Sequence, residues 1–494
     1  MSQFLFYYQR PEPATWVFMS SFVIVALFFM FHRMWSIRNL DIALLILLTP
    51  GLMFVYEGRK ANALAARITA EDSATTPNAE TASSIGIPAT VPPSTISSSV
   101  PLQIDEKVRP KWTGDQLKYC GFLWLLSVCG LWVIRMLLDT AMVRRPLLEP
   151  NLTSGGTTFI GVSLFVFLMA NVITSPPVFQ LKSGIKPGPG YDLLKLLPDI
   201  QTSTDPTLVG VKSSDLKINL PTGDSIARDP RIVGAARLFL VISNLVLVLG
   251  IVAIGYWHFE NLKTGIGVAT LFLLLPYTAQ MTGRIDHLAP GALIVLAVAF
   301  YRQPIVSGMM LGGAAGLVFY PFFLLPLWIS FYWLRGRRRF IFGFLTSVLA
   351  MVCALVATTQ EGFLPRLMQM FGVIQFAFTD LDGVWGLGWY PYFRIPVMVA
   401  FLLLSLSFVF WPAQKSLATL MSCTAAIMTA AQFCYAYGGG LYMAWFLPCA
   451  LLTVFRPNLD DCIALDVVRN FMKRKSSSKP ANSGDAPKGY AEAV

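Results

Sequence analysis

"GIGVATLFLLLPYTAQMTGRIDHLAPGALIVLAVAFYRQP", residues 265–304, holds two unbroken apolar runs with Arg284, Asp286 and His287 crowded between them. The runs are helix-length and apolar, which predicts two membrane spans, 265–281 and 288–301, joined by a short polar turn. Three ionisable side chains within four positions stand out in a chain that otherwise avoids charge. Their meaning depends on which side of a membrane the turn faces.

The rest of the chain carries the same signal. Of 494 residues, 55% are hydrophobic and 13% charged, where average soluble domains carry roughly 25% charged residues. Mean hydropathy is +0.60. Long apolar runs, rather than short alternating segments, predict helices and not a barrel. The expected fold is all-α, a polytopic transmembrane bundle of about 11–13 spans, each needing about 20 apolar residues.

Spans are predicted at 14–32, 40–56, 117–139, 157–174, 234–256, 265–281, 288–301, 339–358, 394–411, 416–436 and 441–455. The stretch 304–334 is broken at Tyr320-Pro321 and basic at both ends, so it predicts a bent pair of short helices returning to the side it left. Gly308, Gly312 and Gly316 recur every four residues there, which lets another backbone approach one helix face. Residues 1–56 form an N-terminal pair of spans. Residues 57–115 include "SATTPNAETASSIGIPATVPPSTISSSV" and are expected to be a disordered linker, because they carry too little apolar surface to fold. Residues 116–156 add a third span and a loop, 157–455 form the core with a long polar loop at 175–233, and 456–494 are a basic tail.

The net charge is +11. Its basic residues gather in short loops and the tail, which points to membrane lipids as partners and not to nucleic acid. "RGRRR" at 335–339 is the strongest cytoplasmic marker, and "MVRRP" at 142–146, Arg302, Lys415 and the tail agree with it. Alternation then places 175–233, 282–287, 359–393 and 437–440 outside. "EGRKANALAAR" at 57–67 is basic yet falls outside, which is the weak point of the alternation. No cleavable signal peptide is evident, and an inner-membrane, multi-pass location with a cytoplasmic C-terminus is expected. The seven cysteines lack CxxC spacing, so no metal site, disulfide framework or cofactor is expected.

Two outer stretches carry candidate chemistry. At the lip of the 265–304 pair, Arg284 and His287 suit a phosphate, and Asp286 suits general-base work or orienting His287. The same residues could instead anchor helix ends at the interface. In "LMQMFGVIQFAFTDLDGVWGLGWYPYFR", residues 367–394, Asp380 and Asp382 precede Trp385, Trp389 and Tyr390. Carboxylates bind sugar hydroxyls and aromatic faces stack on sugar rings, so this is a candidate acceptor site. An interfacial aromatic belt is the alternative. Arg135 and Asp139, at i and i+4, are expected to pair.

Four segments together resemble the GT-C class of membrane glycosyltransferases, and glycosyltransferase family 87 in particular. They are "AARLFLVISNLVLVLG" (235–250), the 273–304 segment around Gly283-Arg284, "SGMMLGGAAGLVFYPFFLLPLWISFYWLRGRRR" (307–339) and "GGGLYMAWFLPCALL" (438–452). The resemblance lies mainly in 234–340. It implies transfer of a sugar from a polyprenyl-phosphate carrier at the outer face. It also implies a base from the first outer loop of the core and basic residues for the donor phosphate. Here Gly283-Arg284 stands in place of the family's Gly-Gln. The first acid of the 175–233 loop is Asp192, eighteen residues past Thr174, so the base is displaced or lost. Asp192 or Asp286 is the candidate base, and Arg284, His287 and Arg231 are the candidate phosphate ligands. Asp199, Asp205, Asp224 and Asp229 are further acids of the loop, expected to be mostly solvated. The alternative is a multi-pass protein without catalysis, either a transporter or a degenerate transferase scaffold. A transporter should bury ionisable residues at mid-membrane and repeat internally, and neither sign is clear.

Overall fold

The computed structural model describes residues 13–75, 113–142, 148–178, 197–202, 230–358, 383–435, 441–459 and 463. Each of the eleven predicted spans contains helix, but 265–281 is interrupted at Leu275 and 441–455 is α-helical only from Leu447. The first five helices are α1 (Pro13–Phe28), α2 (Ile37–Thr75), α3 (Gly114–Asp139), α4 (Ser154–Thr174) and α5 (Pro230–Trp257). Next come α6 (Leu262–Leu274), α7 (Pro276–Met281), α8 (Ile285–Ala299), α9 (Pro304–Leu317) and α10 (Leu325–Phe331). The remainder are α11 (Arg337–Thr358), α12 (Arg394–Ser407), α13 (Leu417–Cys434) and α14 (Leu447–Phe455). A two-residue antiparallel pair, β1 (Pro177–Val178) and β2 (Asp199–Ile200), lies between α4 and α5.

Six of the described helices are long and apolar enough to cross a membrane: α2, α3, α4, α5, α11 and α13. The others are shorter. Helices α6 and α8 are buried along nearly their whole length, so protein rather than lipid covers their ends and their backbone groups stay satisfied. Helix α13 is buried all round, as a helix apolar on every face should be. Phe159 on α4, Phe342 on α11 and Leu403 on α12 are 74%, 65% and 62% exposed. Large apolar side chains covering the outer faces of such helices are what a lipid surround requires. The chain is a multi-pass helical membrane protein.

Turns meet at two ends. At the basic end, Asn151 N–H donates to Leu27 O (2.8 Å), Lys263 pairs with Glu149 (2.9 Å) and the Tyr332 hydroxyl donates to Tyr301 O (2.5 Å). Arg335, Gly336 and the start of α11 lie here, because Pro304 packs within reach of Gly336. At the opposite end, Arg237 meets Ser175, Thr202 meets Gln280, and Trp385 meets Phe433. The 304–334 stretch returns to the basic end, as its sequence predicts. Its break falls at Val318-Phe319, followed by a 3-10 turn, Tyr320–Leu324. Leu325-Pro326 opens α10, where proline is tolerated in the first turn.

Gly308 and Gly312 let α11 press onto α9: a Cβ on either would stand 2.2 Å from Phe340 O or 2.5 Å from Phe344 O. One expectation fails. Helix α2 does not stop at 56 but runs to Thr75, because "EGRKANALAARITAEDSAT" is rich in strong helix formers. At 1.5 Å per residue its 39 residues extend about 58 Å, so it outruns the bilayer core and carries the basic 57–67 segment out at the end opposite the Arg335–Arg339 turn. Residues 76–112 lie outside the described residues.

The expected Arg135–Asp139 pair forms at 3.3 Å and is part of something larger. Arg135 also grips Asp41 of α2 through two bonds, of 2.5 and 2.8 Å. Asp139 accepts two more from Arg456, at 3.1 and 2.7 Å. Four charges summing to zero tie α2, α3 and the segment after α14 together at the basic end. All are nearly water-free, with Asp139 fully buried.

Candidate functional site

The polar turn that opens α8 is not a solvated lip. Asp286 and His287 are 5% and 3% exposed, inside the bundle at the end opposite the Arg335–Arg339 turn. An interface anchor should meet headgroups, and these two residues meet protein. Arg284 precedes α8, and its guanidinium donates to both Asp286 oxygens, at 3.2 and 3.1 Å. Asp286 sits in the first turn, where the helix N-terminus favours an anion.

A second carboxylate arrives from far along the chain. Asp199 on β2 stands 3.6 Å from Arg284 Nε, with its side chain 11% exposed. Gly283 makes this docking possible. Ile200 N–H donates to Gly283 O (3.0 Å), and Gly283 N–H donates to the Thr202 hydroxyl (2.9 Å). The Thr202 hydroxyl in turn donates to Gln280 O (3.0 Å). A Cβ on residue 283 would lie 1.9 Å from Ile200 O, so only glycine fits. One guanidinium therefore engages two carboxylates in a setting of weak screening.

Aromatic rings close the cluster. The Tyr277 hydroxyl meets His287 Nδ1 at 2.6 Å and so helps to orient the imidazole. The Tyr442 ring lies 4.3 Å from the His287 ring, and Trp445 lies 4.5 Å from Tyr442. Trp445 Nε1 donates to the Asp286 carbonyl (3.0 Å). Gln432 of α13 brackets Tyr442, accepting from its N–H (3.0 Å) and donating to its carbonyl (3.2 Å). Tyr320, at the break after α9, packs 6.1 Å from Trp445. The broken helix thus supplies one wall of the cluster.

The remaining candidates separate. Asp192, Asp380 and Asp382 lie outside the described residues. Arg231 is exposed on the first turn of α5. Arg237, further into α5, reaches the β1–β2 region: its Nη2 donates to Ser175 O (2.9 Å) while its Nε is buried without a partner. Trp385 is buried, and its indole donates to Phe433 O (2.9 Å), so its face is not open for stacking. Trp389 and Tyr390 are exposed, and Tyr390 packs on Tyr392 and Phe393. Asp199, expected to be solvated with the other loop acids, is nearly buried and ion-paired. Among the described residues no group of three or more His, Cys, Asp or Glu is placed to hold a metal.

What the cluster can do follows from its parts. Arg284 engages both carboxylates, so an anion drawn to it would weaken its hold on them and favour protonation of one. Arg237 offers an unsatisfied donor nearby. Fold and site define a multi-pass membrane protein with a buried acid–arginine–aromatic cluster at one end. No family model, curated protein or solved structure matches the chain.

Proposed function

We propose that the protein is a GT-C-like membrane glycosyltransferase, moving a sugar from a polyprenyl-phosphate carrier to an acceptor hydroxyl at the outer face of an inner membrane, with Arg335–Arg339 and the C-terminus cytoplasmic. The observation that carries this is Asp199. The resemblance calls for an acid from the first outer loop of the core, and Asp199 of that loop is held against Arg284, which also engages Asp286. In this reading the acceptor oxygen bonds to the anomeric carbon while the carbon–oxygen bond to phosphate breaks. The proton passes to Asp199, and the polyprenyl phosphate leaves with the bonding pair. Arg284 and Arg237 stabilise the phosphate charge that develops. Asp286 holds Arg284 in place, and the Tyr277–His287 pair fixes the wall beside it.

A second reading has one observation in its favour: Arg284 is already engaged and almost buried. The cluster would then only pin the 175–233 segment to the bundle. Turnover separates the two. Purified protein in nanodiscs is given a panel of short-chain polyprenyl-phosphate sugars, and release of polyprenyl phosphate is followed. Asp199→Asn and Asp286→Asn should each lower release by about a hundredfold or more while the protein stays folded. Release that is unchanged in both variants, or absent from the wild type across the panel, would leave the pinning role.

A further inference from the structure

A second feature at the outer end belongs neither to the acid–arginine cluster nor to the buried ion chain. It is a cavity of about 740 Å³ between the first turns of α3 and the Gly383–Gly386 turn. Its lining includes Asp115, Gln116, Lys118, Tyr119 and Leu387. That volume lies in the range of small-molecule sites, roughly 300–1,000 Å³.

The polar groups in the wall are only partly used. Asp115 Oδ1 accepts from Lys118 Nζ (2.9 Å) and from Asn62 Nδ2 (2.8 Å), while Oδ2 takes no bond among the described residues. Gln116 spends its carbonyl oxygen on the Thr113 N–H (3.0 Å) in a capping box, which leaves its amide N–H groups to face a ligand. Lys118 keeps two donors after Asp115. The Tyr119 ring is 41% exposed, and its hydroxyl makes no bond among the described residues. The wall thus mixes open donors, an open carboxylate oxygen and an aromatic face. Its ionic pair is internally neutral, so a charged ligand gains little net attraction.

That pattern fits one ligand class. Neighbouring sugar hydroxyls each donate and accept, and the C–H face of a pyranose lies flat on an aromatic ring. We infer that the cavity between α3 and the Gly383–Gly386 turn binds a neutral saccharide through Asp115, Gln116, Lys118 and Tyr119. The far wall joins the acid cluster through the end of α13. Trp385 hangs from Phe433 O, Arg394 donates twice to Cys434 O (3.1 and 3.0 Å), and the Tyr435 ring packs 4.7 Å from Tyr442. As an acceptor subsite the cavity rests on the transferase reading, whereas saccharide binding itself does not.

The test uses the full chain in nanodiscs, free of sugar detergents, and methyl glycosides of neutral hexoses and pentoses with their disaccharides. Binding is read by saturation-transfer NMR and by alkylation of Cys120, which lines the cavity and is half-buried. A small free thiol alkylated in parallel serves as the reference. At least one neutral glycoside should bind and slow Cys120 alkylation severalfold while the free thiol reacts as before. Tyr119→Ala should weaken that binding by about tenfold or more without moving the melting temperature, and Lys118→Met should weaken it too. No protection by any glycoside, protection that survives both substitutions, or binding confined to charged sugars such as glucuronides would overturn the inference. Asp199→Asn should leave this binding intact, so failure of the transfer reaction and failure of the cavity are separately visible.

Discussion

A single methyl group on Gly283 should disconnect the site. In Gly283→Ala the new Cβ would stand 1.9 Å from Ile200 O and 2.9 Å from the Thr202 hydroxyl. Carbon and carbonyl oxygen approach no closer than about 3.3 Å in ordinary contact, so β2 must retreat by about 1.4 Å. The Ile200–Gly283 and Gly283–Thr202 bonds, now 3.0 and 2.9 Å, then open past hydrogen-bonding range. At about 1 kcal/mol net for each bond, the cost to stability is about 2 kcal/mol. The functional cost is larger, because Asp199 moves off Arg284, whose present separation is only 3.6 Å. Thermal unfolding in nanodiscs measures the first effect and polyprenyl-phosphate release the second. Gly283→Ala should lose release about as fully as Asp199→Asn, and combining the two should cost no further activity. A Gly283→Ala protein with wild-type stability and turnover would refute the docking of β2 on this turn.

Three other outcomes follow from the packing. Asp139→Asn leaves Arg456 without its buried carboxylate and should destabilise by about 3–5 kcal/mol in denaturant unfolding; Asp139→Leu with Arg456→Met should recover much of that, and a double variant no better than the single would contradict it. His258 is buried where its Nε2 meets Ala299 O (2.8 Å), and burial pushes its ring down to about 4. The folded protein therefore holds this ring neutral while the unfolded chain takes up a proton near pH 6.5. Its contribution is present in full above pH 6.5 and is lost as pH falls from 6.5 towards 4, by up to about 3 kcal/mol; His258→Gln should flatten melting temperature over that window. For topology, a cysteine placed at 178 or 201 should be labelled from outside the cell and one at 337 only from inside, and the reverse would remove the outer-face assignment.

The helices were legible because a span needs a long apolar run, and every such run here formed one. The end of α2 was not, because its second half is polar and carries no long apolar run, and its packing on the start of α3 leaves no local sequence trace. Arg284, Asp286 and His287 were visible as charges where charge is rare. Asp199 was not distinguishable from Asp205 or Asp224 by sequence, since its burial depends on a two-residue strand pair and on a glycine some eighty positions away. Tyr277, Tyr442 and Trp445 were hidden for the opposite reason: an aromatic side chain inside an apolar run looks like ordinary core. The Asp139–Arg456 contact joins residues 317 apart and left no local trace.

The central claim is that a phosphate and Asp199 compete for Arg284. Binding of a polyprenyl-phosphate analogue, by microscale thermophoresis on purified protein, tests this most directly when two variants are compared. Arg284→Gln should weaken binding by about ten- to a hundredfold, the loss of a charge-assisted contact worth roughly 1.5–3 kcal/mol. Asp199→Asn should bind the analogue as tightly as wild type or more tightly, because it removes a rival anion, while sugar transfer disappears. Equal affinity in all three folded proteins, or weaker binding in Asp199→Asn, would contradict the account.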